Sequence, residues 1–401
     1  MIAEKMVGFV ENNSAIRVMF EEGKRLSKLY GAENVYDFSL GNPNVPAPCA
    51  VDNAIKDILD SEDSSYVHGY MSNAGYEDVR RTIADSLNRR FGTDFTDRNL
   101  IMTVGAAGGL NVIFRALLNP GDEVITFAPY FLEYRAYVGN FDGVLVEVPP
   151  NIPSFLPNLK ELEKRITPRT KCVLINNPNN PTGVVYPENI IRELTAIIER
   201  KSFEFNTDIY LISDEPYREL VYDGVNVPYL TKYYANTVVG YSFSKSLSLP
   251  GERIGYIAVP NEMKDFDTVV SALTIANRIL GYVNAPSLIQ RAVARAIDSK
   301  TDVGYYDRNR KLLYSTLKNL GFDIVKPEGA FYLFVKSPVE DEKIFCDMAK
   351  EENIIMVPGS SFACPGYVRL AYCVSYETIE RSIPAWNRLM EKLKKGNLNL
   401  K

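Results

Sequence analysis

Ser242-Phe243-Ser244-Lys245 places one lysine among small hydroxyl side chains, directly after an apolar run (residues 237–241) that reads as a buried strand. A lysine at the end of such a strand loses charge by desolvation and becomes a nucleophilic amine. The serines beside it, with Arg253 eight residues on, supply donors for a phosphate group. A Schiff-base amine next to a phosphate cradle is what pyridoxal phosphate needs. A lone Ser-Lys pair is more simply a solvated lysine in a serine-rich loop. The rest of the chain reverses that reading.

Three other junctions put polar residues just after apolar runs, and sites in open α/β sheets collect at the carboxyl ends of strands. Val104-Gly105-Ala106-Ala107-Gly108-Gly109 ends one run and opens a helical pattern, so its backbone amides and helix dipole make an anion site. Asn176-Asn177-Pro178-Asn179-Asn180-Pro181-Thr182-Gly183 follows a second run. Its prolines lock the loop and leave Asn180 as a fixed amide donor, with a plain turn as the simpler reading. Ser213-Asp214-Glu215-Pro216-Tyr217 follows a third. An aspartate at a buried strand end is costly unless it meets a cation, such as a protonated pyridine nitrogen.

The elements that must hold these junctions are legible as alternating patterns. Apolar runs at 100–104, 123–127, 144–148, 172–176, 209–213, 238–242 and 254–259 alternate with helical patterns such as 110–118 and 189–200. Strand–helix alternation of this kind predicts an α/β fold with a mainly parallel, helix-covered sheet. From about residue 284 the texture changes to a long helical stretch (288–320), short strands (322–325, 331–335, 368–373) and a closing helix (377–394), which predicts a smaller α+β unit. Upstream, Ile16, Met19, Phe20 and Leu26 recur at helical spacing, and Gly41 to Pro48 is an extended, turn-rich linker. The expected division is 1–44 as an N-terminal arm and part of the small domain, 45–283 as a large cofactor-binding domain, and 284–401 as the small C-terminal domain.

Composition narrows the chemistry. At 401 residues, 46% hydrophobic and 24% charged, the chain suits a soluble two-domain protein. A net charge of −5 argues against a nucleic-acid surface, and the basic cluster Lys392-Leu393-Lys394-Lys395 reads as the solvated end of a last helix. No apolar stretch reaches the roughly 18 residues of a membrane span. Glu4 and Lys5 interrupt the first turns where a signal peptide would be apolar, so a cytoplasmic protein is expected. Five scattered cysteines without a CxxC pair point to reduced thiols, not a disulfide framework or zinc site. With His68 the single histidine, multi-histidine metal sites are excluded, and acid–base work falls to Lys, Tyr, Asp or water.

Taken together, the four junctions resemble the class I/II aminotransferases, the aspartate aminotransferase-like, fold-type I pyridoxal phosphate enzymes. Ser14-Ala15-Ile16-Arg17 resembles the family's N-terminal arm, and Gly41-Asn42-Pro43 its interdomain loop. Tyr70, Gly75 and Arg80 match its Tyr-x-x-x-x-Gly-x-x-x-x-Arg segment. Asn180-Pro181-Thr182-Gly183 and Asp214-Glu215-Pro216-Tyr217 match its cofactor motifs, and Ser242-x-Ser244-Lys245 with Pro250-Gly251-x-Arg253 is the most specific element. Downstream, Pro327 to Tyr332, Pro358 to Phe362 and Arg369 resemble its small domain.

The resemblance implies pyridoxal 5′-phosphate as cofactor and assigns roles by position. Lys245 would bond the cofactor and shuttle the proton, Asp214 would hold its ring nitrogen protonated, and Tyr217 and Asn180 would donate to its O3′. Ser242, Ser244, Arg253, Gly105 and the amides of Ala106 and Ala107 would bind phosphate, and Phe131 would stack on the ring. Arg369 would clamp the substrate α-carboxylate, with Gly41 and Asn180 beside it. Tyr70 would reach the phosphate of a neighbouring subunit, which implies a homodimer with shared active sites. Four positions depart from the family: Ala106 and Ala107 replace hydroxyl residues, Phe131 stands where aspartate-specific relatives commonly carry tryptophan, and Ala371 replaces a frequent serine.

The activity so implied is transfer of an amino group from an L-amino acid, aspartate-like or aromatic, to a 2-oxo acid such as 2-oxoglutarate. A C–S β-lyase on the same fold is the alternative. A serine acyl-transferase would need Ser-Asp-Asn and Lys-Thr-Gly partners, which are missing, and the spacing of Gly105 to Gly109 does not fit a dinucleotide fingerprint. Arg17 and Arg278 are candidates to read a dicarboxylate side chain, and surface arginine is the simpler reading of each.

Overall fold

Seven apolar segments pair edge to edge into one sheet in a computed structural model, which describes residues 2–11 and 15–395. Their order is Leu100–Thr103, Gly255–Ala258, Thr237–Ser242, Tyr210–Asp214, Thr170–Asn176, Glu123–Phe127 and Val144–Val148. All neighbours run parallel except Gly255–Ala258, which is antiparallel to both of its partners. The inner strands are buried along nearly their whole length, with only Lys171 and Tyr210 partly exposed, as parallel strands covered on both faces must be. Alternation decides which layer each side chain joins. Leu211, Val239 and Tyr241 face the helices Glu188–Phe205 and Glu77–Phe91, whereas Ile212, Val238 and Ile257 face Gly105–Leu117 and Phe266–Ile279.

The smaller unit is a three-stranded antiparallel sheet, Val357–Pro358, Tyr367–Ala371 and Tyr332–Lys336, under the helices Val303–Asn319, Glu342–Glu351 and Tyr376–Lys395. Its core gathers Trp386, Leu313, Phe345 and Phe331. The N-terminal strand Tyr36–Asp37 pairs in parallel with Ile354–Ile355, and Phe38 packs into the same core. The amphipathic segment upstream is the helix Ala15–Tyr30; Ser14 of the expected arm lies outside the described residues. No described helix is long and apolar enough to cross a membrane.

Two expectations give way. The helical stretch 288–320 is two helices, Ser287–Arg295 and Val303–Asn319, because the Asp302 carboxylate caps the second by accepting from Tyr305 N. The strand expected at 322–325 is a single bridge between Ile324 and Val335. Phe322 N is already committed to Leu317 O at 3.1 Å, closing the preceding helix. Ile289 and Val293 of Ser287–Arg295 pack with Val79 and Ile83, in the core of the larger unit. We therefore propose that the unit boundary lies between residues 296 and 302, and not at 284.

Candidate active site

The four polar junctions meet at the carboxyl ends of the sheet, around a cavity of about 260 Å3 that the smaller unit closes with Tyr332 and Arg369. Asp214 ends its strand, 5% exposed. Tyr134 donates to its Oδ2, and Asn176 Nδ2 reaches its backbone oxygen at 2.9 Å. Its Oδ1 is buried without a hydrogen-bond partner among the described residues. Burial pushes this carboxyl up to about 7, against the Tyr134 hydrogen bond and with help from the charge on Glu215. A cation against Oδ1 would reverse that shift.

Lys245 sits in the single turn Phe243–Ser246, capped by Ser242, whose hydroxyl accepts from Ser244 N at 3.2 Å. Its Nζ donates to Gly41 O at 2.8 Å and lies 5.3 Å from the centre of the Phe331 ring. Burial lowers its pKa to about 8, opposed by the Cys373 thiol and assisted by the cations Arg253 and Arg369. Gly41 has no room for a side chain, since a Cβ there would stand 2.0 Å from the Tyr332 hydroxyl.

An anion cradle lies alongside. The Ser242 and Ser244 hydroxyls are 2.7 Å apart, and Arg253 is anchored by donating from Nη1 to Pro250 O at 2.9 Å. Gly105 opens the helix Gly105–Leu117 at φ 77°, and a Cβ there would meet Arg253 Nη2 at 2.8 Å. Glycine therefore serves both conformation and close approach. Ala106 and Ala107, in that helix's first turn, line the cavity with free backbone donors.

Arg369, 1% exposed, lies between the Tyr332 and Phe362 rings, 4.5 and 4.8 Å from their centres. Its Nη1 donates to Asn180 Oδ1 at 3.1 Å and its Nη2 to Ser39 O at 2.5 Å, while Nε has no partner among the described residues. Burial pulls its pKa down, with only neutral acceptors in reach. The Tyr217 hydroxyl meets that of Tyr332 at 2.9 Å, and burial drives Tyr217 well above the usual phenol range. Phe131 lines the cavity with its ring edge-on to Tyr134, centres 5.7 Å apart.

Of the sequence-derived residues, Tyr70 stands apart: it is 93% exposed and does not line this cavity. Arg17 and Arg278 are likewise exposed and outside it. Tyr134 was not foreseen. It lies in the first turn of the short helix Glu133–Gly139 just after Phe131, and complete burial of its hydroxyl-bearing ring calls for a polar partner, which Asp214 provides.

The match to known proteins is extensive. The family model "Aminotransferase class I and II" matches residues 32–385. The aspartate/prephenate aminotransferase of Thermus thermophilus is 33% identical, over 87% of this chain and 89% of its own. Aromatic-amino-acid aminotransferase 2 of Thermococcus litoralis is 30% identical, over 96% of this chain and 97% of its own. The crystal structure of an aminotransferase from Eubacterium rectale superposes with a TM-score of 0.95 at 47% identity, covering 98% of this chain and 99% of the other. Enzymes of this family depend on pyridoxal 5′-phosphate, and the residues present fit it: an anion cradle, an amine of lowered pKa, and a buried carboxylate oxygen lacking a partner share one cavity. The chain belongs to the class I and II aminotransferases.

Proposed function

We propose that the chain moves the amino group of an L-amino acid, aspartate-like or aromatic, to a 2-oxo acid such as 2-oxoglutarate, with the cavity residues in the roles that follow. The observation that carries this reading is the set of unanswered groups in one cavity: Asp214 Oδ1 awaiting a cation, Arg369 Nε awaiting an anion, and the Lys245 amine between them in character. Bound there, pyridoxal phosphate supplies an electron-withdrawing ring that makes a substrate Cα–H acidic.

Lys245 Nζ, which lines the cavity, would hold the cofactor through its aldehyde group and, as a neutral amine, would accept the proton from the substrate Cα. A pKa near 8 leaves a useful fraction of neutral amine at neutral pH. Asp214 Oδ1 would hold the proton on the ring nitrogen, and Tyr134 keeps the carboxylate aimed by donating to its other oxygen. Tyr217 and Asn180 would supply donors to the ring hydroxyl, and Phe131 an apolar surface for the ring. Ser242, Ser244, Arg253 and the amides of Ala106 and Ala107 bind the phosphate, which Gly105 lets approach. Arg369 binds the α-carboxylate bidentately, with Gly41 and Asn180 alongside.

A homodimer belongs to this reading, supported by Tyr70, which is free to reach a neighbour's phosphate. A cytoplasmic setting is supported by five unpaired cysteines. The names of the relatives support both substrate classes and offer nothing for the lyase alternative. The test is a panel of amino donors with 2-oxoglutarate, read as glutamate formed, together with borohydride fixation and peptide mapping. Glutamate from aspartate or aromatic donors and a label on Lys245 are expected. A label on another lysine, or release of keto acid and ammonia without glutamate, overturns the reading.

A further inference from the structure

A second cavity, about 480 Å3, lies on the other side of the turn that carries Lys245 and is lined by Ser246 and Leu247. Its floor is apolar and aromatic: Ile83 and Leu87 of the helix Glu77–Phe91, Phe243, and the rings of Tyr241 and Tyr256 stacked with centres 4.7 Å apart. The opposite wall is Ile297, Ser299 and Thr301, in the segment joining the helix Ser287–Arg295 of the larger unit to Val303–Asn319 of the smaller one. Thr301 N donates to Ser246 O at 3.3 Å, so this linker already touches the residue after Lys245. The volume is that of small-molecule sites, about 300–1,000 Å3, and an apolar floor faces polar and charged groups at the wall and rim.

The polar groups are unevenly satisfied. The Tyr241 hydroxyl bonds Glu219 and Ser246 Oγ, each at 2.8 Å. Ser86, also in the wall, keeps a buried hydroxyl with no partner among the described residues. At the rim, Arg90 pairs with Glu219 at 2.6 Å and Asp298 with Arg89 at 3.2 Å. Lys300 has no ion-pair partner among the described residues. An uncommitted cation over an aromatic floor suits an anionic head on an apolar body.

We propose that this cavity is a regulatory site for a small carboxylate with an aromatic or branched apolar body, its head at Lys300 and its body on Tyr241 and Tyr256. A ligand there ties the turn bearing Lys245 to the linker between the units. By holding that turn it slows turnover without occupying the catalytic cavity.

The test uses the holoenzyme and 3-phenylpropionate, which has neither an amino nor an oxo group. Calorimetry should show binding that survives Arg369→Leu, a change that disables the carboxylate site of the catalytic cavity. Lys300→Ala should weaken it about threefold to tenfold. Ile297→Trp, which fills the second cavity, should abolish it while turnover without the probe stays within about twofold of the parent. In steady-state kinetics the probe should lower kcat even at saturating donor. No binding, loss of binding in Arg369→Leu, binding unchanged by Lys300→Ala, or inhibition fully relieved by donor would each overturn the proposal. The Lys300 change is at the surface, so it decides the matter even where Ile297→Trp fails to fold.

Discussion

Arg218 and Arg369 are both buried, and both are held between aromatic rings. Arg218 lies 5.1 and 5.0 Å from the centres of Phe91 and Tyr229, and Arg369 lies 4.5 and 4.8 Å from Tyr332 and Phe362. Their acceptors differ. Arg218 Nε donates to the Glu215 carboxylate, with Val227 O and Pro228 O at 3.0 and 3.1 Å from its other nitrogens. Arg369 finds an amide oxygen, a carbonyl and no charge. Burial works against both cations, but Glu215 outweighs it and carries Arg218 above its ordinary value, while Arg369 falls. The neighbouring carboxylates repeat the contrast: Glu215 takes Arg218 and the Ser213 hydroxyl, and Asp214 leaves one oxygen unanswered. Similar aromatic packing thus yields a closed structural pair in one place and an open site in the other. A buried charge without its counter-ion costs several kcal/mol, and that deficit is what a ligand's opposite charge relieves.

The comparison is broken most severely at Asp214. Asp214→Asn keeps the shape and removes the charge that would stabilise a protonated ring nitrogen. Turnover should fall by about 10³-fold or more, in the range lost with a preorganised electrostatic contact, while the protein still folds and binds cofactor. Near-normal kcat would mean that the carboxylate is no more than a positional contact. Arg218→Ala is the converse experiment. It strands Glu215 as a buried, uncompensated charge, so unfolding in urea should show a loss of about 3–5 kcal/mol. The KM values of the protein that remains folded should barely move; a large KM change with little loss of stability would place Arg218 in the site.

Arg369→Lys comes next in size. It retains the charge but loses the planar fork, a loss of about 2–4 kcal/mol against a buried carboxylate, so kcat/KM should fall about 30- to 1000-fold. Every amino acid has the α-carboxylate, so the fall should be alike for all donors and leave their ranking intact. A loss confined to aspartate and glutamate would make Arg369 a reader of the side chain.

Much of the open half of this comparison was legible in the chain, for a physical reason. Parallel strands buried on both faces read as short apolar runs, and polar residues directly after such runs fall at the carboxyl edge of the sheet, as Asp214, Asn180 and Lys245 do. What escaped depends on tertiary partners that no local pattern encodes. Tyr134 reads as one more core aromatic until Asp214 comes within reach of its hydroxyl. The break between Arg295 and Val303 rests on a single capping aspartate inside an otherwise helical pattern. The segment 322–325 has strand composition, but its first amide is taken by the helix before it. The wall of the second cavity comes from residues as far apart in the chain as Ile83 and Val303.

The smallest effect concerns the protein without cofactor, where the open groups act on stability. Asp214 has a folded pKa of about 7 against an ordinary 3.8, so between about pH 4 and 7 the native state binds more protons than the unfolded chain. Its contribution is therefore present at low pH and is lost as pH rises through 7. Lys245 has a folded pKa of about 8 against 10.5, so between about pH 8 and 10.5 the unfolded chain binds more protons, and stability rises with pH across that window. Both penalties are in force together between pH 7 and 8, where these two groups predict a minimum in the stability of the cofactor-free protein. Asp214→Asn should flatten the acid side of that minimum and Lys245→Met the alkaline side, each raising stability near pH 7.5 by about 1–3 kcal/mol. Urea unfolding of cofactor-free protein across pH 4 to 10 measures this. Parallel profiles for parent and variants would show that the buried groups are already compensated, and that the contrast with Glu215 and Arg218 is one of geometry alone.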